Sequence, residues 1–279
     1  MSLDAKPGDP DRYWGGSALD RWKLFGPPLR PAEQDGQLFA DAVRAWAARN
    51  GTPRIVVLGS TPEIQVLAAR HGWPVCAVDR ARPMLRHVWP GSPGSACCAD
   101  WTRLPLAAGS QDIAFLDGGL QMLTYPDGQA RFARELAHVL RPGGLFVVRV
   151  FVLPQSAETT QQVVAALRAG EVSTPDELRL RLWMAVQESP AAGVALRQVW
   201  EALSLAAPDF PAVGARLGWS DAQVGVVNDY ANAVERYYLT RLDHIADVFR
   251  PCGFELEAVR VPAYAMGQCC PTLVLRRQD

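Results

Sequence analysis

Apolar residues in this chain come in short blocks, and their spacing alternates between two patterns. Residues 54–59 (RIVVLG), 74–79 (PVCAVD), 95–100 (SACCAD), 112–119 (DIAFLDGG) and 144–152 (GLFVVRVFV) are near-continuous apolar runs. Runs without polar alternation belong to strands covered on both faces. Between them, residues 62–72 (PEIQVLAARHG), the short piece ARPMLRHVW and residues 128–140 (GQARFARELAHVL) carry helical spacing. A further helix is expected before the first strand, with Pro31 in its first turn, Glu33 and Asp35 at its positive end and Leu38, Ala42 and Trp46 on one face; Asn50-Gly51 stops it. Strands alternating with helices predict a doubly wound, Rossmann-like α/β fold with a mostly parallel sheet.

The alternation stops at residues 153–240, where several stretches read as helical: QQVVAALRAG, PDELRLRLWMAVQES, GVALRQVWEALS and SDAQVGVVNDYANAVERYYLTRL. These predict a helical insertion. LDHIADVFRPCG then resumes a helix, and FELEAVRVP (254–262) and TLVLRRQ (272–278) close the sheet. Only AYAMGQCCP separates the last two strands, too little for a helical crossover, so they should pair antiparallel. Residues 1–30, rich in Gly, Pro and aromatics (Tyr13, Trp14, Trp22, Phe25), are expected to form an irregular arm folded onto the rest. The predicted organisation is an arm or lid over 1–30, an α/β domain from 31–152 and 241–279, and a helical cover over 153–240.

Composition narrows the chemistry. The chain has 279 residues, 49% hydrophobic and 20% charged, with 28 Lys plus Arg against 29 Asp plus Glu. A net charge of −1 gives no overall attraction to a polyanion, so a small molecule is favoured over nucleic acid. The N-terminus has no apolar signal core, and the longest apolar stretch, LFVVRVFVL, contains Arg149, so no membrane span is expected. Six cysteines, Cys76, Cys97, Cys98, Cys252, Cys269 and Cys270, lack the C-x-x-C spacing of a zinc site. They read as buried, reduced thiols, which points to a cytoplasmic protein without a metal.

Parallel sheets bind ligands beyond the carboxyl ends of their strands, so the strand ends hold the candidate residues. After the first strand, Gly59 permits close backbone approach, Thr61 can cap the next helix, and Pro62 leaves free N–H groups facing the strand end. The turn lacks G-x-G-x-x-G, and an ordinary capped helix would look the same. Asp79 ends the second strand 20 residues after Gly59, where a carboxylate would accept from a ribose diol. Asp100 and Trp101 pair an acceptor with an aromatic face after the third.

In this order the pieces resemble the class I S-adenosylmethionine-dependent methyltransferase family, over about residues 35–152 and again 240–278. VVLGSTPEI stands at the family's glycine-rich motif, AVDRARPML resembles its acidic second-strand motif, CADWTRLPLAAGSQDIAFLDGG its third and fourth strands, and ELAHVLRPGGLFVVRV its helix, turn and fifth strand. The resemblance implies S-adenosylmethionine as cofactor, with Gly59, Ser60 and Thr61 beneath its methionine portion. It implies Asp79 at the ribose, Arg80 and Met84 beside the adenosine, and Asp100 with Trp101 at the adenine. Asp117, Gly118 and Gly119 would form a lip near the reacting methyl. Met84 can equally be a core residue.

The chain departs from the family in having Val57 where an acidic residue usually precedes the first glycine, and Thr61 and Glu63 in place of later glycines. The cofactor's amino group then needs Glu63, Asp117 or a backbone carbonyl, and Arg30 could bind its carboxylate bidentately; a solvated helix-entry arginine is the plainer alternative. Methyl transfer needs alignment and exclusion of water more than a base. Tyr13, His87, Asp229, Tyr230, Tyr237 and Tyr238 are candidates for orienting an acceptor. His71, His138 and His244 fit scaffold roles, and Arg149 could meet a substrate anion or a loop carbonyl. Trp183, Trp200, Phe210, Trp219, Tyr230, Tyr237 and Tyr238 would line a small-molecule cavity or pack the insertion's core.

The expected function is methyl transfer to oxygen or nitrogen of a small-molecule acceptor, with a homodimer left open. A noncatalytic cofactor-binding or interaction protein and a nicotinamide-dependent oxidoreductase are the rivals; Asp79 would serve the latter's ribose as well.

Overall fold

The computed structural model describes residues 18–279. Tyr13 and Trp14 and most of the expected arm lie outside them. Helix α1 (Ala18–Leu24) is followed by α2 (Glu33–Asn50), β1 (Ile55–Leu58), α3 (Pro62–His71), β2 (Val75–Asp79), α4 (Arg82–His87), β3 (Ala96–Cys98), β4 (Gln111–Asp117), α5 (Asp127–Val139) and β5 (Leu140–Arg149). Next come α6 (Thr160–Ala169), α7 (Pro175–Val186), β6 (Val194–Ala195), α8 (Leu196–Ala206), α9 (Phe210–Arg216), α10 (Asp221–Asn228) and β7 (Arg236–Tyr237). Helix α11 (Leu242–Phe249) and strands β8 (Phe254–Arg260) and β9 (Thr272–Arg277) complete the chain.

The main sheet has the order β3-β2-β1-β4-β5-β9-β8. The first five strands are parallel, and β9 inserts antiparallel between β5 and β8. This is the doubly wound Rossmann-like fold, with the closing pair in the predicted sense. Strand period two splits the core: Ile55, Val57, Ile113, Phe115 and Val147 pack with Phe39, Val43 and Trp46 of α2. Val56, Leu58, Ala114, Leu116 and Val148 face the other way, against Phe132 and Leu136 of α5 and Phe249 of α11. Sheet order reverses between β1 and β4, so the ends of β1, β2, β4 and β5 meet at one edge.

Residues 153–240 build a third core around Val163, Leu167, Leu178, Leu182, Val199 and Leu203, to which Phe151 and the buried pair Cys269 and Cys270 also belong. Three details differ from the sequence reading. Within the arm expected to be irregular, Ala18–Leu24 form helix α1, with Ala18 buried. The stretch from Ser220 is not one helix: α10 tightens into a 3-10 turn at Asp229–Asn232, and the chain then forms β7, which pairs antiparallel with β6, with Leu196 N donating to Glu235 O at 3.1 Å. Strand β5 begins at Leu140, ahead of the glycine turn, where Gly143 takes φ +74° and the register with β4 shifts. Among the described residues no helix is long and apolar enough to cross a membrane.

Candidate active site

The strand ends open into one cleft with about 1270 Å³ free of protein atoms, including its mouth. One half is made by Gly59, Ser60, Thr61, Asp79, Arg80, Met84 and Trp101. Gly118, Gly119, Asp117 and Gln121 form a lip in the middle. The other half is lined by Phe25 and Leu29 before α2, Phe151 beyond β5, and Arg179, Trp183, Tyr230, Glu235 and Tyr237 from the helical segment.

Asp79 is nearly buried, and its carboxylate is held by two backbone donors: Ser60 N to Oδ2 at 3.0 Å and Ala81 N to Oδ1 at 2.9 Å. Both oxygens keep a lone pair for a ligand. Burial pushes the Asp79 pKa up, against the hydrogen bonds from Ala81 and Ser60. A raised folded-state pKa means that its contribution to stability is present below about 3.8 and lost as pH rises through the folded value. For binding the sign is opposite, because hydroxyl donors need the carboxylate. We therefore expect affinity for a diol ligand to fall on acidification, beginning above the ordinary aspartate range, in calorimetric titrations run from pH 7 downward.

Trp101 spans the floor, its Nε1 donating to Val78 O at 2.8 Å. Gly59 has φ +97°, and a Cβ there would stand 3.5 Å from the Trp101 ring. At Gly119 a Cβ would lie 2.5 Å from Leu116 Cδ1 and 2.9 Å from Trp101. Gly119→Ala should therefore displace Trp101 and destabilise the fold by about 1–3 kcal/mol, as overpacking does, measurable by urea denaturation. Thr61 occupies the N-cap position of α3 without a side-chain cap, so its hydroxyl is not spent on the helix.

Asp117 does not reach into the cleft as a free acid. Arg149 Nε and Nη2 grip its two oxygens at 2.5 and 3.1 Å, and both side chains are buried. Arg149 Nη1 also donates to Pro28 O at 2.5 Å, so this arginine satisfies carbonyls of the N-terminal segment and is not turned to a substrate anion. The opposing Asp117 holds its pKa above the usual arginine value despite the burial. Behind it, buried Asp35 accepts from Tyr264 Oη at 3.0 Å; burial raises the pKa of both.

Two predicted cofactor residues stand off the cleft lining. Arg30 pairs with Glu63 and lies 5.3 Å from the Trp22 ring, so the residues expected at the cofactor's carboxylate and amino groups hold each other. Asp100 is exposed and accepts from Thr102 N and Oγ1, both at 2.7 Å. Those bonds, opposing burial, hold it below the usual aspartate pKa. Among the candidates for orienting an acceptor, Tyr230 and Tyr237 line the cleft, Asp229 pairs with Arg21, and His87 sits exposed at the end of α4. His71 stacks on Trp73 and His244 on Tyr125, as scaffold residues would. Phe210 and Trp219 pack edge to face inside the helical segment. The cysteines are free, but only Cys269 and Cys270 are buried and Cys98 is exposed, because β3 is the sheet's edge strand. Among the described residues no three His, Cys, Asp or Glu side chains cluster to hold a metal.

The residues sequence reasoning missed are Gln121, Met122, Phe151, Arg179, Leu196 and Glu235. Phe151 and Gln121 follow strand ends closely enough to have been flagged; Arg179 and Glu235 carried no local signal.

Residues 58–148 match the family model described as a methyltransferase domain. That third of the chain is similar to a methyltransferase domain, on a sheet of the class I methyltransferase kind. No curated protein matches its sequence. Among solved structures, it resembles 1,6-didemethyltoxoflavin-N1-methyltransferase of Burkholderia thailandensis, at 14% identity over 99% of this chain and 94% of that one, with TM-score 0.51. That methyltransferase was solved with 1,6-didemethyltoxoflavin and S-adenosylhomocysteine. A Rhodobacter sphaeroides protein described as a Zn-dependent alcohol dehydrogenase aligns at TM-score 0.63 and 13% identity, over 97% of this chain and 99% of that one. A methyltransferase of Haloferax volcanii, in complex with the activator Trm112, aligns at 0.52 and 12% over the whole of both chains. Identities this low speak for a shared fold alone. The matched region runs from Leu58 to Val148 within β5 and so takes in the ends of β2 and β4; the arm and the helical segment lie outside it.

Proposed function

We propose that this protein transfers a methyl group from S-adenosylmethionine to oxygen or nitrogen of a small molecule held between the sheet edge and residues 153–240. One observation carries the reading: a single cleft runs from Asp79 and Ser60, past the Gly118-Gly119 lip, to Phe151, Trp183, Tyr230 and Tyr237. The cofactor half fits the group by its own chemistry. Ser60 is buried beside Asp79, Asp79 has lone pairs to offer, and Gly59, Gly118 and Gly119 let the backbone pack closely on Trp101 and Phe151 at the cleft, where a Cβ would press on those rings. S-adenosylmethionine, when bound, supplies a methyl already activated by its positively charged sulfur.

The chain's own part is binding, alignment and exclusion of water. Asp79 would accept from the ribose hydroxyls, while Met84 and Trp101 enclose the adenosine. Residues 18–30 cover the cleft: Gly26 N donates to Asp176, Thr174 Oγ1 to Pro27 O at 3.2 Å, and Arg149 to Pro28 O. Residues 153–240 would act as the substrate cover, tied to the sheet edge by Tyr238 N donating to Gln121 O at 2.8 Å. Arg30 and Glu63 would exchange their mutual contact for the cofactor's carboxylate and amino groups. Arg30→Ala is then expected to weaken S-adenosylhomocysteine binding about tenfold, the worth of one charge-assisted contact; an unchanged dissociation constant would remove that role. The free cysteines suit the reducing cytoplasm.

The test is an acceptor screen that reads S-adenosylhomocysteine release, preceded by calorimetry with S-adenosylmethionine, S-adenosylhomocysteine and NAD. Cofactor binding with turnover on a small organic acceptor supports the proposal. Binding without turnover across the screen favours a noncatalytic protein, and NAD binding in place of S-adenosylhomocysteine favours an oxidoreductase.

A further inference from the structure

The far half of the cleft specifies its occupant more closely than the fold does. Its walls are aromatic: Trp183 meets Tyr237 edge to face at 4.9 Å and Phe151 at 6.1 Å, and Tyr230 is buried beside them. Its charges are almost all cancelled. Arg179 is buried against Asp176, with its guanidinium 4.4 Å from the Phe25 ring, and Arg149 is locked on Asp117. Pulling either arginine away would leave its buried aspartate unpaired, so what remains for a guest is the Nε of Arg179, which has no hydrogen-bond partner among the described residues.

Glu235 is the exception. It lines the cleft, half-buried, just before β7, and among the described residues its side chain has one neighbour of hydrogen-bonding kind, Val234 N at 3.0 Å on Oε2, and no cation. Its backbone is fixed, because Glu235 O accepts from Leu196 N at 3.1 Å at the start of α8. A carboxylate there repels anions and accepts hydrogen bonds. A cationic guest would meet the positive charge of the cofactor in the same cleft. The remaining guest is neutral, flat and a hydrogen-bond donor.

Resting on the methyltransferase reading, we infer that the acceptor is an uncharged aromatic or heteroaromatic molecule bearing an O–H or N–H, which lies among Phe151, Trp183 and Tyr237 and donates that hydrogen to Glu235. Glu235 is thereby a specificity-determining residue, holding the donor atom to be methylated at a fixed place in the cleft.

Calorimetry of the full chain loaded with S-adenosylhomocysteine tests this with matched probes. Binding of 2-naphthol is expected to exceed that of 2-methoxynaphthalene, which lacks the donor, of decahydro-2-naphthol, which is not flat, and of 2-naphthoate, which is anionic, by about tenfold each. Glu235→Leu, which offers no acceptor, should erase the preference for 2-naphthol over 2-methoxynaphthalene, while Glu235→Gln, which keeps an acceptor but not the charge, should retain that preference and lose the discrimination against 2-naphthoate. Equal binding of 2-naphthol and 2-methoxynaphthalene to the wild-type protein overturns the inference, as does tighter binding of 2-naphthoate or of the cation 2-naphthylmethylammonium. Failure of S-adenosylhomocysteine itself to bind removes the methyltransferase reading and the inference with it, an outcome the separate cofactor titration distinguishes from failure of the acceptor chemistry alone.

Discussion

Replacing Asp79 by alanine is expected to weaken S-adenosylhomocysteine binding by about a hundredfold or more in calorimetric titration. Two hydrogen bonds from a ribose to a carboxylate are worth about 1.5–3 kcal/mol each, and every 1.4 kcal/mol is tenfold. The protein should remain folded, because the lost side chain is a nearly buried charge whose desolvation offsets its hydrogen bonds from Ser60 N and Ala81 N. Asp79→Asn separates the charge from the shape. Its amide nitrogen must face one of those two backbone N–H groups, donor against donor, so the turn after β1 or β2 has to shift. Asn is therefore expected to restore none of the affinity. Retention of wild-type affinity in either variant would place the cofactor elsewhere and leave the Gly59–Thr61 turn as an ordinary helix entry.

The α/β core was legible because its central strands β1, β4 and β5 are apolar on both faces and each intervening helix carries one apolar stripe. Val56 and Val57 point to opposite cores, and a polar residue at either place would have been visible in the pattern. The cleft's cofactor half was legible for a related reason: in a parallel sheet, sequence neighbours of the strand ends are spatial neighbours of the ligand. Asp79 and Gly118 could be placed by counting. Glu235 and Arg179 could not, since they reach the cleft through the packing of α7 and the β6–β7 pair, which depends on contacts between residues far apart in sequence. Arg149 shows the limit from the other side. Its position at a strand end was evident, but only the structure brings Pro28 O and Asp117 to it and so assigns it to holding the cleft together.

That assignment leads to the largest expected effect on stability. Arg149→Ala should destabilise the protein by about 3–5 kcal/mol in urea denaturation, the cost of breaking a buried ion pair from one side. Asp117 would be left buried without its cation, and Pro28 O would lose its donor. The loss should not be uniform. The backbone ladder between β4 and β5, with Asp117 opposite Arg149, does not depend on the guanidinium and can persist. Residues 18–30 depend on it directly and should open first, which limited proteolysis would read as cleavage between Trp22 and Arg30 at a denaturant concentration that leaves the sheet intact. The paired replacement Arg149→Met with Asp117→Leu removes both charges together and should recover part of the loss, because no buried ion then remains unpaired. It should not restore protection of residues 18–30, since Met offers Pro28 O no hydrogen bond. Wild-type stability in Arg149→Ala would mean that water or another side chain reaches Asp117, and that the cover over the cleft is held by its contacts with Asp176 and Thr174 alone.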